Sequence, residues 1–131
     1  MLGNPLTPLN TMNIKEMLSR YTAGQRDFRN INFMAANFRN LNLTGINLSG
    51  ANLTKANLTR TNLSHANLTD TILVSANLSE TNFAKANLTN ANLSNTNLAE
   101  ANLSQAYMRG AIMPDGMNPS DRANQPKTIP S

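Results

Sequence analysis

Every fifth residue from Phe28 to Met113 is large and apolar. The series runs Phe28, Phe33, Phe38, Leu43 and onward to Leu103, Met108 and Met113, eighteen positions with no insertion or deletion. Two residues before each stands a second small or apolar residue, mostly Ala or Thr, with bulkier Ile31, Leu41 and Ile46 near the start and Arg26 as the exception. The residue immediately before is Asn in fourteen of the eighteen, and the two that follow are mostly Ser, Thr, Asn, Gly or charged. A period of five matches neither the 3.6 of a helix nor the 2 of a long strand. Within each unit, however, the two apolar positions are spaced as on one face of a strand. The remaining residues must then turn the chain before the next pair. A short strand and a corner, repeated, wind into a coil with the apolar pairs inside and Asn outside. Coils of this kind stack with their backbones about 4.8 Å apart into a solenoid held by contacts between neighbouring coils. Periodicity alone leaves the number of sides open.

Units such as Ala51-Asn52-Leu53-Thr54-Lys55, Ala66-Asn67-Leu68-Thr69-Asp70 and Ala101-Asn102-Leu103-Ser104-Gln105 resemble the pentapeptide repeat family, whose pattern is Ala-(Asp/Asn)-Leu-x-x. The resemblance covers residues 26–115, which is 90 of the 131. It implies an all-β solenoid, a right-handed, four-sided parallel β-helix with twenty residues per coil. On that count the repeats make about 4.5 coils and a rod roughly 22 Å long.

A solenoid exposes its core and strand edges at both ends unless something covers them. Ile14, Met17, Leu18 and Tyr21 fall on one helical face. Asn13 and Glu16 have capping-box spacing, and Gly24 suits the position just past a helix. The expected layout is a flexible segment over 1–12, a capping helix over 13–24, the β-helix over 25–116 and a tail over 117–131. Met12 is a second candidate start. The Met-bearing face of the helix has an alternative use as a partner site. At the other end the pattern decays through Tyr107, Met108, Ile112 and Met113, and Pro114-Asp115-Gly116 reads as a turn. These ends are similar to those of small cyanobacterial members of the family. Some members dimerise through the terminal coil, so Tyr107, Met108 and Met113 are candidate contacts either for an end-to-end homodimer or for a covering tail.

Residues twenty apart share a column. Ile72 replaces an Asn, Val74 follows it, Ile112 and Pro114 lie two coils further on, and Met34 lies two coils back. They make an outward apolar stripe, the kind of patch that marks contacts. It is a candidate surface for a protein partner or for the tail, through Met117 or Ile129. Arg60, Glu80 and Glu100 also share a column. His65 stacks between Gly45 and Lys85, with no neighbouring metal-ligand type.

Composition narrows the function. Charged residues are 14%, aromatics 5% and cysteines absent, which leaves no disulfide or thiolate chemistry. No nucleophile triad, phosphate loop or paired-carboxylate site is present. A filled narrow coil has no internal pocket, so no enzyme, cofactor, metal or small-molecule substrate is expected. The recurrent Asn-x-Ser/Thr follows from the repeat itself and is not taken as glycosylation. With no signal peptide and no membrane-span-length apolar run, a cytoplasmic protein is expected. The favoured reading is a protein-interaction or scaffold module, monomeric or an end-to-end dimer. An alternative is binding to nucleic acid or another anionic surface through the basic N-terminal coils, where Arg26, Arg29, Arg39, Lys55 and Arg60 face only Asp27. The family also includes DNA mimics that bind gyrase. That mechanism needs an acidic rod, and this chain departs from it with a net charge of +4.

Overall fold

The fold follows from what each five-residue unit does with its backbone, seen here in a computed structural model that describes residues 10–115. Parallel bridges join residues twenty apart, from Asp27 with Asn47 through to Asn92 with Ile112. Asp27, Asn32, Asn37 and Asn42 each bridge to the coil above, so one coil has four sides. Side 1 carries the column 27, 47, 67, 87, 107. Side 2 carries 32, 52, 72, 92, 112, and sides 3 and 4 begin at 37 and 42. The ladder runs both ways at each bridge: Phe33 N–H donates to Asn52 O at 2.8 Å, and Asn52 N–H donates to Ile31 O at 3.0 Å.

From Phe33 to Ala111 each corner is a turn closed by a bond three residues long. Ala36 N–H donates to Phe33 O at 3.0 Å, and Ala35, the third residue of that turn, has φ 59°. This is the pattern of a type II turn, which demands positive φ at its third position. Gly45, Gly50 and Gly110 accept it freely, but Lys55, Arg60, His65 and Glu80 are held there too. A side chain in this region costs about 1–2 kcal/mol. The ladder offsets the cost by fixing the corner from the next coil, as where Lys55 N–H donates to Val74 O at 2.9 Å.

The inward residues form one continuous core. Phe28, Phe33 and Phe38 fill its first coil, with Phe33 and Phe38 packed edge to face at 5.3 Å. Leu and Ala fill most of the rest. Thr61, Thr71 and Thr81 are buried among them, and each hydroxyl donates to a carbonyl of the coil below: Phe38 O at 2.7 Å, Leu48 O at 3.0 Å and Leu58 O at 2.6 Å. Buried hydroxyls need such partners, and here carbonyls of the coil below supply them, while the partly buried Thr96 bonds Leu93 O of its own turn at 2.8 Å.

Helix α1 spans Ile14–Thr22. Asn13 starts it, its side chain accepting from Glu16 N–H at 2.8 Å, and Gly24 follows it at φ 107°. Met17 is fully buried in the solenoid core, with Ile14, Leu18 and Tyr21 packed partly against it. Tyr21 Oη donates to Thr44 O at 2.8 Å. Arg26, which breaks the inward rule, lies with its guanidinium 3.7 Å from the Tyr21 ring centre and donates to Tyr21 O at 2.8 Å. Residues 10–12 of the segment expected to be flexible are tied to the first coil: Thr11 bridges Asn32, and Asn32 N–H donates to Asn10 O at 2.8 Å; the rest of that segment, 1–9, lies outside the described residues. The expected tail over 117–131, with Met117 and Ile129, lies outside the described residues.

Candidate interaction surface

The Asn before each inward residue does more than face outward. Its Oδ1 accepts from the N–H two residues on, at the entry to the corner. All fourteen repeat Asn residues make this bond, at 2.9–3.2 Å. Thr44, Thr54, Thr59, Thr89 and Ser94 add their hydroxyls to the same oxygen. Such turns are a local preference of Asn and Asp. Sequence reasoning missed this role; the signal was that Asn stayed fixed while the residue two later varied.

Four positions lack the Asn. Asp27 keeps the bond, accepting from Arg29 N–H at 3.2 Å and from Arg29 Nε at 2.9 Å. The side-chain bond from Arg29 is the main reason its carboxyl titrates below the ordinary value of 3.8. Ile72 supplies no acceptor for Val74 N–H. Ile112 precedes Pro114, which has no N–H to satisfy. Tyr107 leaves Arg109 N–H without a side-chain acceptor.

Ile72 and Ile112 are both on side 2. Met34 is 52% exposed, Ile72 41% and Ile112 43%, while Val74 and Pro114 are half-buried. The apolar coils alternate with polar ones carrying Asn52 and Thr54, then Asn92 and Ser94, so successive apolar knobs are about 10 Å apart along the rod. At the N-terminal end of the same side, Met12, Ile14, Phe33, Met34 and Ala36 line a shallow hollow of about 470 Å³. Tyr107, 68% exposed, projects from side 1 instead. Met108 and Met113, 3% and 0% exposed, are core residues.

The charges form local pairs. Arg29 pairs with Asp27 at 2.9 Å and Arg60 with Glu80 at 3.4 Å, while Arg20 pairs with Glu16 within α1. With Arg26 bound to Tyr21, the N-terminal coils keep Arg39 and Lys55 without an ion pair among the described residues. No cluster of three His, Cys, Asp or Glu able to hold a metal occurs among the described residues. None of the described helices is long and apolar enough to cross a membrane.

A family model described as pentapeptide repeats matches residues 31–70 and 76–113, in eight copies. Among solved structures, a pentapeptide repeat protein from the Arabidopsis thaliana thylakoid lumen is similar at 30% identity over 66% of this chain, with a TM-score of 0.63. The match spans 60% of that protein's chain. A pentapeptide repeat protein from Nostoc is 35% identical over 76% of this chain and 78% of its own, with a TM-score of 0.44. A plasmid-mediated fluoroquinolone resistance protein, QnrB1, is 24% identical over 62% of this chain and 47% of its own, with a TM-score of 0.38. No curated protein matches the chain.

Proposed function

Because the chain belongs to the pentapeptide repeat family and shares its right-handed β-helix, we propose that it is a non-enzymatic interaction module that presents side 2 of its rod to a protein partner. The observation that carries this reading is the placement of the exposed large hydrophobic residues. Among the described residues they are Met34, Ile72, Tyr107 and Ile112, and three of the four share one side of an otherwise polar rod. Two of them displace the Asn that closes a corner, so the stripe is present at the expense of a local turn bond in at least one coil.

In this reading the repeats make a four-sided rod of about 4.5 coils, and α1 is its N-terminal cap, closing the aromatic first coil. The cytoplasm is its working compartment, although the Arabidopsis relative comes from a thylakoid lumen. Binding to an anionic surface is the weaker reading, since most arginines of the N-terminal coils are engaged within the chain. A DNA-mimic role on gyrase is weaker still, because the rod is net positive. The test is affinity capture from the native host with the wild-type chain and with an Ile72→Asp, Val74→Lys variant. A captured protein lost with the variant supports the reading. Identical capture by both, with both folded by circular dichroism, sinks it.

A further inference from the structure

Side 2 is self-complementary. Its apolar coils are the first, third and fifth, carrying Met34, then Ile72 with Val74, then Ile112 with Pro114. The second and fourth are polar. Two copies of the rod laid side against side, level with one another, place apolar on apolar and polar on polar in all five coils. We propose that the occupant of side 2 is a second copy of this chain, joined as a parallel, side-by-side dimer about a two-fold axis running along the rods. The inference rests on the interaction-module reading and names its partner.

Charge selects this arrangement over the antiparallel one. Side 2 is flanked by two corner columns. The one before it holds Asn30, Gly50, Asp70, Asn90 and Gly110; the one after it holds Ala35, Lys55, Ser75, Asn95 and Asp115. Lys55 and Asp70 are exposed and lack an ion pair among the described residues. With the two-fold axis along the rods, the column before side 2 in one copy faces the column after side 2 in the other. Lys55 then meets Asp70 of the other copy, one coil apart in height, or about 4.8 Å. Symmetry makes that contact twice. If the rods run antiparallel, with the axis across them, each column faces itself inverted. Asp70 then meets Asp70 at the same level, and Lys55 meets Asn95, so like charges oppose and none are compensated.

The contact is small. A side five coils high is about 24 Å long and about 10 Å wide, below the ~800 Å² per partner of a standard interface. Association in the micromolar range or weaker is therefore expected, and a reversible dimer rather than an obligate one. The end of the rod is a poorer candidate for this contact, since Met108 and Met113 are already buried.

The chain has no cysteine, so single-cysteine variants report proximity without background. The experiment uses the full purified chain. Sedimentation across a concentration series measures the dimer. Mild oxidation of Met34→Cys and of Ile72→Cys, each alone, traps it, with Thr59→Cys on side 3 as the control. The expected result is a dimer at high concentration, with both side 2 variants cross-linked and the control not. Lys55→Asp and Asp70→Lys each weaken the dimer about tenfold, and the two together restore it. A monomer at every concentration overturns the proposal. So does a Met34→Cys variant that cross-links only when mixed with Ile112→Cys, which is the antiparallel signature, or a charge swap that restores nothing. Outcomes separate from those of the preceding section: a monomer whose captured host protein is still lost with the Ile72→Asp, Val74→Lys variant overturns the dimer and leaves the module reading standing.

Discussion

Replacing Asn57 with Ala removes the acceptor that closes one corner on side 3. Asn57 Oδ1 accepts from Thr59 N–H at 3.1 Å and from Thr59 Oγ1 at 2.7 Å. A hydrogen bond of this kind is worth about 0.5–1.5 kcal/mol net. Two are lost, but Thr59 is half-buried, so water recovers part of the loss. The expected cost is about 1.5 kcal/mol, or roughly 5 °C in Tm for a chain of this size. Asn57→Asp keeps both bonds, because a carboxylate oxygen accepts as an amide oxygen does. It should remain within about 0.5 kcal/mol of wild type at neutral pH. Urea and thermal unfolding followed by far-UV circular dichroism measure both variants. If Ala and Asp destabilise equally, the amide oxygen is not what holds the corner; if Ala changes nothing, the turn bond is incidental to stability.

Other substitutions test the remaining parts. Ala35→Gly relieves a side chain held at φ 59° and should raise stability by about 0.5–1 kcal/mol in the same melts, whereas a loss would show that the corner is not strained. Met17→Ala empties the fully buried contact of α1 with the core and should lower stability by about 2–3 kcal/mol, with little effect if the helix is not a cap. Asp27 has a folded pKa below 3.8, so its contribution to stability is present above the unfolded value and lost as pH falls through the folded one. Arg29→Ala should move its titration upward toward 3.8 when followed by NMR, and an unchanged midpoint would remove Arg29 as the cause. Deleting residues 66–85, one full coil, should leave a folded rod with its columns intact, while deleting three residues should break the inward pattern; equal outcomes would refute the solenoid register.

The five-residue beat was legible because a narrow core accepts only one kind of residue at each inward point. Phe28 to Met113 keeps that rule without a slip. Helix α1 was legible because Asn13, Glu16 and Gly24 carry their signals locally. Thr61, Thr71 and Thr81 were legible as inward but not as bonded, since their acceptors lie twenty-three residues back. The pairing of Arg29 with Asp27 was also missed. The charge count had already set Asp27 against the N-terminal arginines, but it did not show that Arg29 is the one it meets. Corners bearing Lys55, Arg60 and Glu80 were the least readable, because local propensity asks for Gly or Asn there. The ladder from the adjacent coil overrides that preference, and a single unit does not contain it.

The excess of Asn thus has a structural cause that stops short of function. The corner requires an oxygen acceptor, which Asn and Asp supply equally. The second atom of the group is left to face outward. With Asp it is another anionic oxygen; with Asn it is an uncharged NH2 donor. The fold is indifferent to that choice, and the surface is not. In this chain all fourteen repeat Asn use only Oδ1 for the backbone bond, so each could be exchanged for Asp with that bond intact. A rod rebuilt in that way would keep its columns and become strongly acidic. What distinguishes the present chain is therefore carried by the places where neither residue is used: Tyr107 removes the side-chain acceptor once, on side 1, whereas Ile72 and Ile112 remove it twice from the same side, and on side 2 the surface departs furthest from what the fold alone would supply.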